Sequence, residues 1–148
     1  MLSVGALGIS IAAFGRQRRQ EDFGLARELH SDLTTGEVAR AREDLGTLVH
    51  DGSRIKDEDL PRVRTAYFTL LWCFERIYAG RCAIADRRFM RNRPLEFLDR
   101  MIRWQVGYWA ENMDEARSEL GRRLGVQISD ESSREALAAL HRDIRPAR

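Results

Sequence analysis

Among the side chains of this 148-residue chain that could hold a metal ion or attack a substrate, the histidines and cysteines number five: His30, His50, His141, Cys73 and Cys82. Metal ligands on a helix must recur at i+3 or i+4 to converge on one ion. The histidines stand on three separate segments without such a partner. The two cysteines have neither C-x-x-C redox spacing nor zinc spacing, and Cys73 lies in an apolar run where cysteine behaves as a small hydrophobe. Reduced thiols are the expectation. No G-x-S-x-G, P-loop or G-x-G-x-x-G pattern occurs, and the serines fall mainly where loops and caps belong. The chain therefore reads as a non-enzyme with no cofactor and no metal.

Two further features could do chemistry. Glu75 adjoins the most apolar run of the chain, and a buried carboxylate must be paired or protonated. The expectation is a structural ion pair with Arg100 or Arg103 on a neighbouring helix, against an acid/base role for which no second carboxylate stands beside it. The second feature is a basic strip: Arg81, Arg87, Arg88, Arg91, Arg93, Arg100 and Arg103 stand against Asp86, Glu96 and Asp99. Arg87, Arg88, Arg91 and Arg93 crowd around Phe89 and Met90, and with Arg16, Arg18 and Arg19 they are candidate contacts to lipid headgroups or phosphates. The plainer reading is a solvated helix face and turn. Lys56 is the only lysine; GC-rich codon usage explains that bias without a phosphate site.

Helices must position these residues, because no strand alternation survives anywhere. Phe23, Ala26, Leu29 and Leu33 form one stripe. Thr34 with Glu37 fits a capping box opening the next helix, whose stripe is Val38, Ala41, Leu45, Leu48 and Val49. The segment 59–80 has Asp59 as a cap and Pro61 in its first turn. Tyr67, Leu71, Phe74 and Ile77, or Leu70 and Tyr78 beside them, are its expected core. Phe68, Trp72 and Cys73 make its other side apolar, so it reads as the central helix of a bundle, closed by a C-cap at Gly80. Its uncharged run is far short of the ~20 residues of a membrane span. A short helix from Asp86 to about Asn92 is expected next. A helix starting at Pro94 then buries Leu95, Leu98, Met101 or Ile102, Gln105, and Tyr108 or Trp109. Its continuation adds Ala116, Leu120 and Leu124, and a last helix, capped by Ser129 or Asp130, buries Leu137, Leu140 and Ile144. Short loops imply antiparallel neighbours, hence an all-α, up-and-down bundle of about five to six helices.

The opening "MLSVGALGISIAAFGRQRR" decides where such a bundle would work. Residues 2–14 carry no charge, and Arg16, Arg18 and Arg19 follow. A secretory signal has its charges before the apolar core. Here they come after, which would put that end on the cytoplasmic side of a membrane with the N-terminus outward. Residues 2–14 make roughly 20 Å of helix against a hydrocarbon core of ~30 Å. Three readings follow: an anchor that begins upstream of Met1, a complete but shallow anchor, or a soluble core helix docked on the bundle. The glycines at 5, 8 and 15 favour the membrane, since each costs a soluble helix ~1 kcal/mol. The division expected is an anchor with basic flank, 1–19, and a bundle, 20–148. With 25 basic and 23 acidic residues the net charge is +2, too balanced to imply nucleic acid.

The apolar start ending in "GRQRRQ" and the "GEVARAREDLGTL", "YFTLLWCFERIYAGR" and "RMIRWQVGYWAEN" helices resemble a bacterial family of small membrane-anchored all-helical proteins that carries a domain of unknown function. The resemblance covers about residues 5–124. It implies an N-terminal transmembrane helix and a cytoplasmic bundle at the inner membrane, and no catalytic residues. The chain departs from that pattern in its short anchor and its last helix. The functional expectation is a membrane-tethered interaction or scaffold module with a protein partner, a homo-oligomer remaining compatible. The alternative is a soluble binding or regulatory bundle in which residues 2–14 belong to the core.

Overall fold

The computed structural model describes residues 4–86 and 93–144, with side chains from residue 13 onward. Its helices are α1 (Val4–Thr34), α2 (Gly36–Asp51), α3 (Leu60–Asp86), α4 (Arg93–Leu124) and α5 (Glu131–Ile144), with single 3-10 turns at Gly52–Arg54 and Asp57–Asp59. No strand occurs among the described residues.

Charged and aromatic partners reveal how the helices run. Glu28 and Asp32 on α1 pair with Arg76, and Asp44 on α2 pairs with Arg62. Partner numbers fall along α3 as numbers rise along α1 and α2, so α1 and α2 form one broken rod antiparallel to α3. Phe23 meets Phe97 and His50 meets Tyr108, so that rod runs parallel to α4. Asp130, Ser133 and Asp143 meet Tyr67, Glu75 and Arg81 in turn, placing α5 parallel to α3. The result is an all-α bundle in which the α1–α2 rod, α3, α4 and α5 alternate in direction; the expectation that every short loop reverses the chain fails between α1 and α2, where the break at Thr35–Gly36 lets the helix continue in the same direction. The α3–α4 pair forms the middle of the bundle, with α1 and α2 on one flank and α5 on the other.

The core follows the stripes closely. Ala26, Leu29, Leu33, Leu45, Leu70, Leu71, Phe74, Ile77, Leu98, Ile102, Leu120 and Leu140 are all buried. Each large apolar side chain so removed from water stabilises the fold by about 1.5–3 kcal/mol before entropy is counted. Ile102 and Trp109 are the inward members of their pairs; Met101 faces solvent.

Several local expectations change. The α1–α2 break is made by Gly36 at φ +60, which L side chains rarely adopt. The capping box does not form: the Thr34 and Thr35 hydroxyls instead donate back to the carbonyls of His30 (2.9 Å) and Ser31 (2.8 Å) at the end of α1. Gly80 does not end α3, which continues to Asp86. Its role is close approach, since a Cβ there would lie 2.6 Å from Cδ1 of buried Leu29. The C-terminal glycine cap belongs to α4, where Gly125 has φ +66 and the Val126 amide donates to the Gly121 carbonyl. Trp72 is not core but 61% exposed on the outer side of α3, while Cys73 beside it is buried. The expected short helix of 86–92 lies outside the described residues beyond Asp86, itself the last residue of α3.

The N-terminal expectation also changes. Among the described residues no helix is long and apolar enough to cross a membrane, because α1 runs on from its apolar start through Arg16, Arg18 and Arg19 into the bundle. It passes 19/20 without a break. Residues 13–21 are all exposed, and Asp22 is the first buried position among the described side chains. Phe14 is 56% exposed with the Arg18 guanidinium 4.3 Å from its ring centroid. At Phe14, then, the helix is not docked on the core; the rest of 2–12 lies outside the described side chains.

Candidate functional site

Two polar clusters lie on the α5 flank. Arg81, 9% exposed, donates from Nε and Nη2 to both oxygens of Asp99 at 2.8 and 3.0 Å, and from Nη1 to Asp143 at 3.3 Å. Burial works against its charge, but the bonds to Asp99 outweigh that and raise its pKa. The Tyr67 hydroxyl donates to Oδ2 of Asp130, and Arg117 donates to Oδ1 at 3.0 Å and to the Ile128 carbonyl at 2.6 Å. Burial, then the Asp130 carboxylate, pushes the Tyr67 phenol up. Both clusters tie α5 to α3 and α4 with their polar atoms already satisfied by one another. They act as clamps between α5 and the α3–α4 pair.

The candidate carboxylate behaves differently from expectation. Glu75 is exposed and accepts a hydrogen bond from the Ser133 hydroxyl at 3.0 Å. Arg100 and Arg103 are exposed on α4 and do not reach it. The reason is rotational: Glu75 lies on the α5 side of α3, away from the outer face of α4. Of the basic strip, Arg81 is a buried clamp rather than a surface contact, and Arg93 is exposed at the start of α4; Arg87, Arg88 and Arg91 lie outside the described residues. Arg16, Arg18 and Arg19 are exposed on α1. No group of three potential metal ligands occurs among the described residues.

An open groove lies on the opposite flank, between α2 and α4. Ala39, Arg42, Glu43 and Gly46 line one wall and Trp104, Gln105, Tyr108 and Trp109 the other, around about 240 Å³. It exists because α2 presents small residues, Ala39 and Gly46, where α4 presents large ones. The aromatics form a ladder from core to solvent. Trp109 is buried; Tyr108 stands edge-on to it at 5.0 Å; Trp104, 69% exposed, stacks on Tyr108 at 5.6 Å and 19°. Tyr108 is held further by a 2.6 Å hydrogen bond between its hydroxyl and His50 Nε2. Arg42 is oriented by donating to the Leu33 carbonyl, at the C-terminal end of α1, at 2.9 Å.

The ladder thus keeps a large aromatic face in water on a rigid support, beside a carboxylate and an amide. That is equipment for binding. It was not anticipated from the sequence, although one signal was there: Trp104 falls outside the Leu95–Leu98–Ile102–Gln105 stripe of its helix. No family model, curated protein or solved structure matches the chain.

Proposed function

We propose that this chain is a helical interaction module held at a membrane surface by the N-terminal arm of α1. One observation carries the reading: residues 13–21 of α1 are all exposed and bear Phe14 and Arg16, Arg18 and Arg19. An exposed aromatic among arginines, following an uncharged stretch, suits a helix lying in the headgroup region, with apolar residues in the acyl boundary and guanidinium groups on phosphates. Arg93 is exposed near the point where the arm leaves, since Phe97 of the same first turns packs on Phe23. The anionic cytoplasmic leaflet is the fitting surface. An interfacial helix also needs far less length than a span, so the shortness of residues 2–14 is no obstacle to it. The bundle then presents its free flank to a protein partner.

Co-sedimentation of the full chain with phosphatidylglycerol vesicles tests this. Three arginines at about 1 kcal/mol each predict roughly 100-fold weaker partitioning when all three become serine. Pelleting unaffected by that change, or none at all, would overturn the reading.

A further inference from the structure

We propose that the groove between α2 and α4 receives a partner-protein segment that presents an arginine or lysine side chain. This deepens the reading of the chain as an interaction module by naming the chemistry of the partner. Three groups converge there. The outer face of Trp104 is open to solvent on a ring fixed by its stack on Tyr108. The Glu43 carboxylate is exposed and forms no ion pair or side-chain hydrogen bond with any described residue. The half-buried Gln105 amide likewise has no partner among the described residues, leaving its oxygen to accept.

A π face, a carboxylate and an amide oxygen are what a guanidinium or ammonium group requires: attraction to the ring quadrupole, a charge-assisted bond, and a neutral acceptor. Arg42 lines the same groove and keeps its charge, but its Nη1 is turned to the Leu33 carbonyl at the end of α1, which leaves Glu43 as the charged group without an ion pair beside Trp104. An acidic segment would meet Glu43 directly. A purely apolar one would cover Glu43 and Gln105 without supplying a donor, which is unfavourable for both. A cation-bearing segment leaves neither group unsatisfied.

The test is an NMR titration of the full chain, following the indole N–H of Trp104, assigned by its loss in Trp104→Phe. The probes are three capped pentapeptides, with a central arginine in glycines, a central glutamate in glycines, and five prolines. The arginine peptide should shift the Trp104 signal saturably, and Glu43→Gln should weaken it at least threefold, the glutamate peptide having no effect. Both altered residues are exposed, and an unchanged thermal melt checks that each variant is folded. An equal response to both charged peptides would overturn the proposal. So would saturation by the proline peptide alone, or an arginine response indifferent to Glu43→Gln. Sedimentation equilibrium adds one more arm: self-association abolished by Glu43→Gln would give the groove to a second copy and overturn the partner assignment. Vesicle binding reads Arg16, Arg18 and Arg19 whereas this titration reads Glu43 and Trp104, so the two readings fail separately.

Discussion

The two flanks of the α3–α4 pair are built on opposite principles. On the α5 flank charges have been drawn inward and linked: Arg81 to Asp99 and Asp143, Tyr67 and Arg117 to Asp130. On the α1–α2 flank Arg62 on Asp44 and Arg76 on Glu28 and Asp32 stay at the rim, while Arg123 at its far end is drawn in to the Gly52 and Ile55 carbonyls and Asp57. Further along that flank an aromatic ladder climbs out into solvent. The α5 helix has 14 residues and few large apolar ones, so polar bonds must hold its register. The other flank spreads its apolar contacts over two helices, which leaves part of its surface free to meet something else. Linked charges thus mark where the fold is fastened, and unlinked ones mark where it is available.

Variants can break or sharpen this contrast. Phe74, on α3 and fully buried, sets the scale. Phe74→Ala should cost ~3–5 kcal/mol in denaturant titration, and a loss under ~1 would remove α3 from the centre. Asp130→Ala should come next, at about 2–4 kcal/mol, because it strands the Tyr67 hydroxyl and a partly buried Arg117 together. A melt like the parent's would mean the α5 clamp is decorative. The groove carboxylate gives the paired control, since Glu43→Ala should leave the melt within ~0.5 kcal/mol.

Cys73 probes the other flank by pH. Burial, then the Asp32 charge, pushes its thiol up from 9.0 to about 11. The native state therefore keeps a proton that the unfolded chain releases first. Its contribution is fully present below pH ~9 and is lost as pH rises through ~11, on the order of 2 kcal/mol. Tyr67, also raised, acts in the same direction. Cys73→Ala should flatten the part of the alkaline fall in Tm that belongs to the thiol; an unchanged slope would refute that assignment. Smaller still, Glu75→Gln should cost under ~1 kcal/mol, because the amide oxygen can still accept from Ser133. A greater loss would mean Glu75 has a second structural partner. Trp104→Ala should move stability by less than ~0.5 kcal/mol, and a larger loss would make the ladder part of the core rather than a surface.

Much of the fold was legible because it is local. The stripe Tyr67–Leu70–Leu71–Phe74–Ile77 follows from the 3.6-residue turn, and all five are buried. Pro61 in the first turn of α3 also comes from backbone chemistry that acts within a few residues, whereas Asp130, an expected cap of α5, commits its carboxylate to Tyr67 and Arg117. The candidate site was nearly illegible. Glu75 was matched to Arg100 and Arg103 by depth along the helices, but helix rotation sets which side chains meet, and it brought Ser133 instead. Gly80 looks like a terminator in one dimension and becomes a contact point only when Leu29 arrives from α1. Trp72 reads as core because the run around it is apolar on every side, yet among the described residues no helix covers that side.

By itself the sequence determined the helical class, the buried stripes and the charge step at Arg16, all of which depend on spacing along one chain. Tertiary structure alone decided that Arg81 is fastened inside while Arg100 and Arg103 stay out. It also decided that Ala39 and Gly46 face Trp104 across a gap, and that the arm carrying Phe14 leaves the bundle before Asp22. The physical reason is the same for each. Periodicity says which face of a helix avoids water, whereas partners depend on the rotation and offset of two helices, which the whole core settles together.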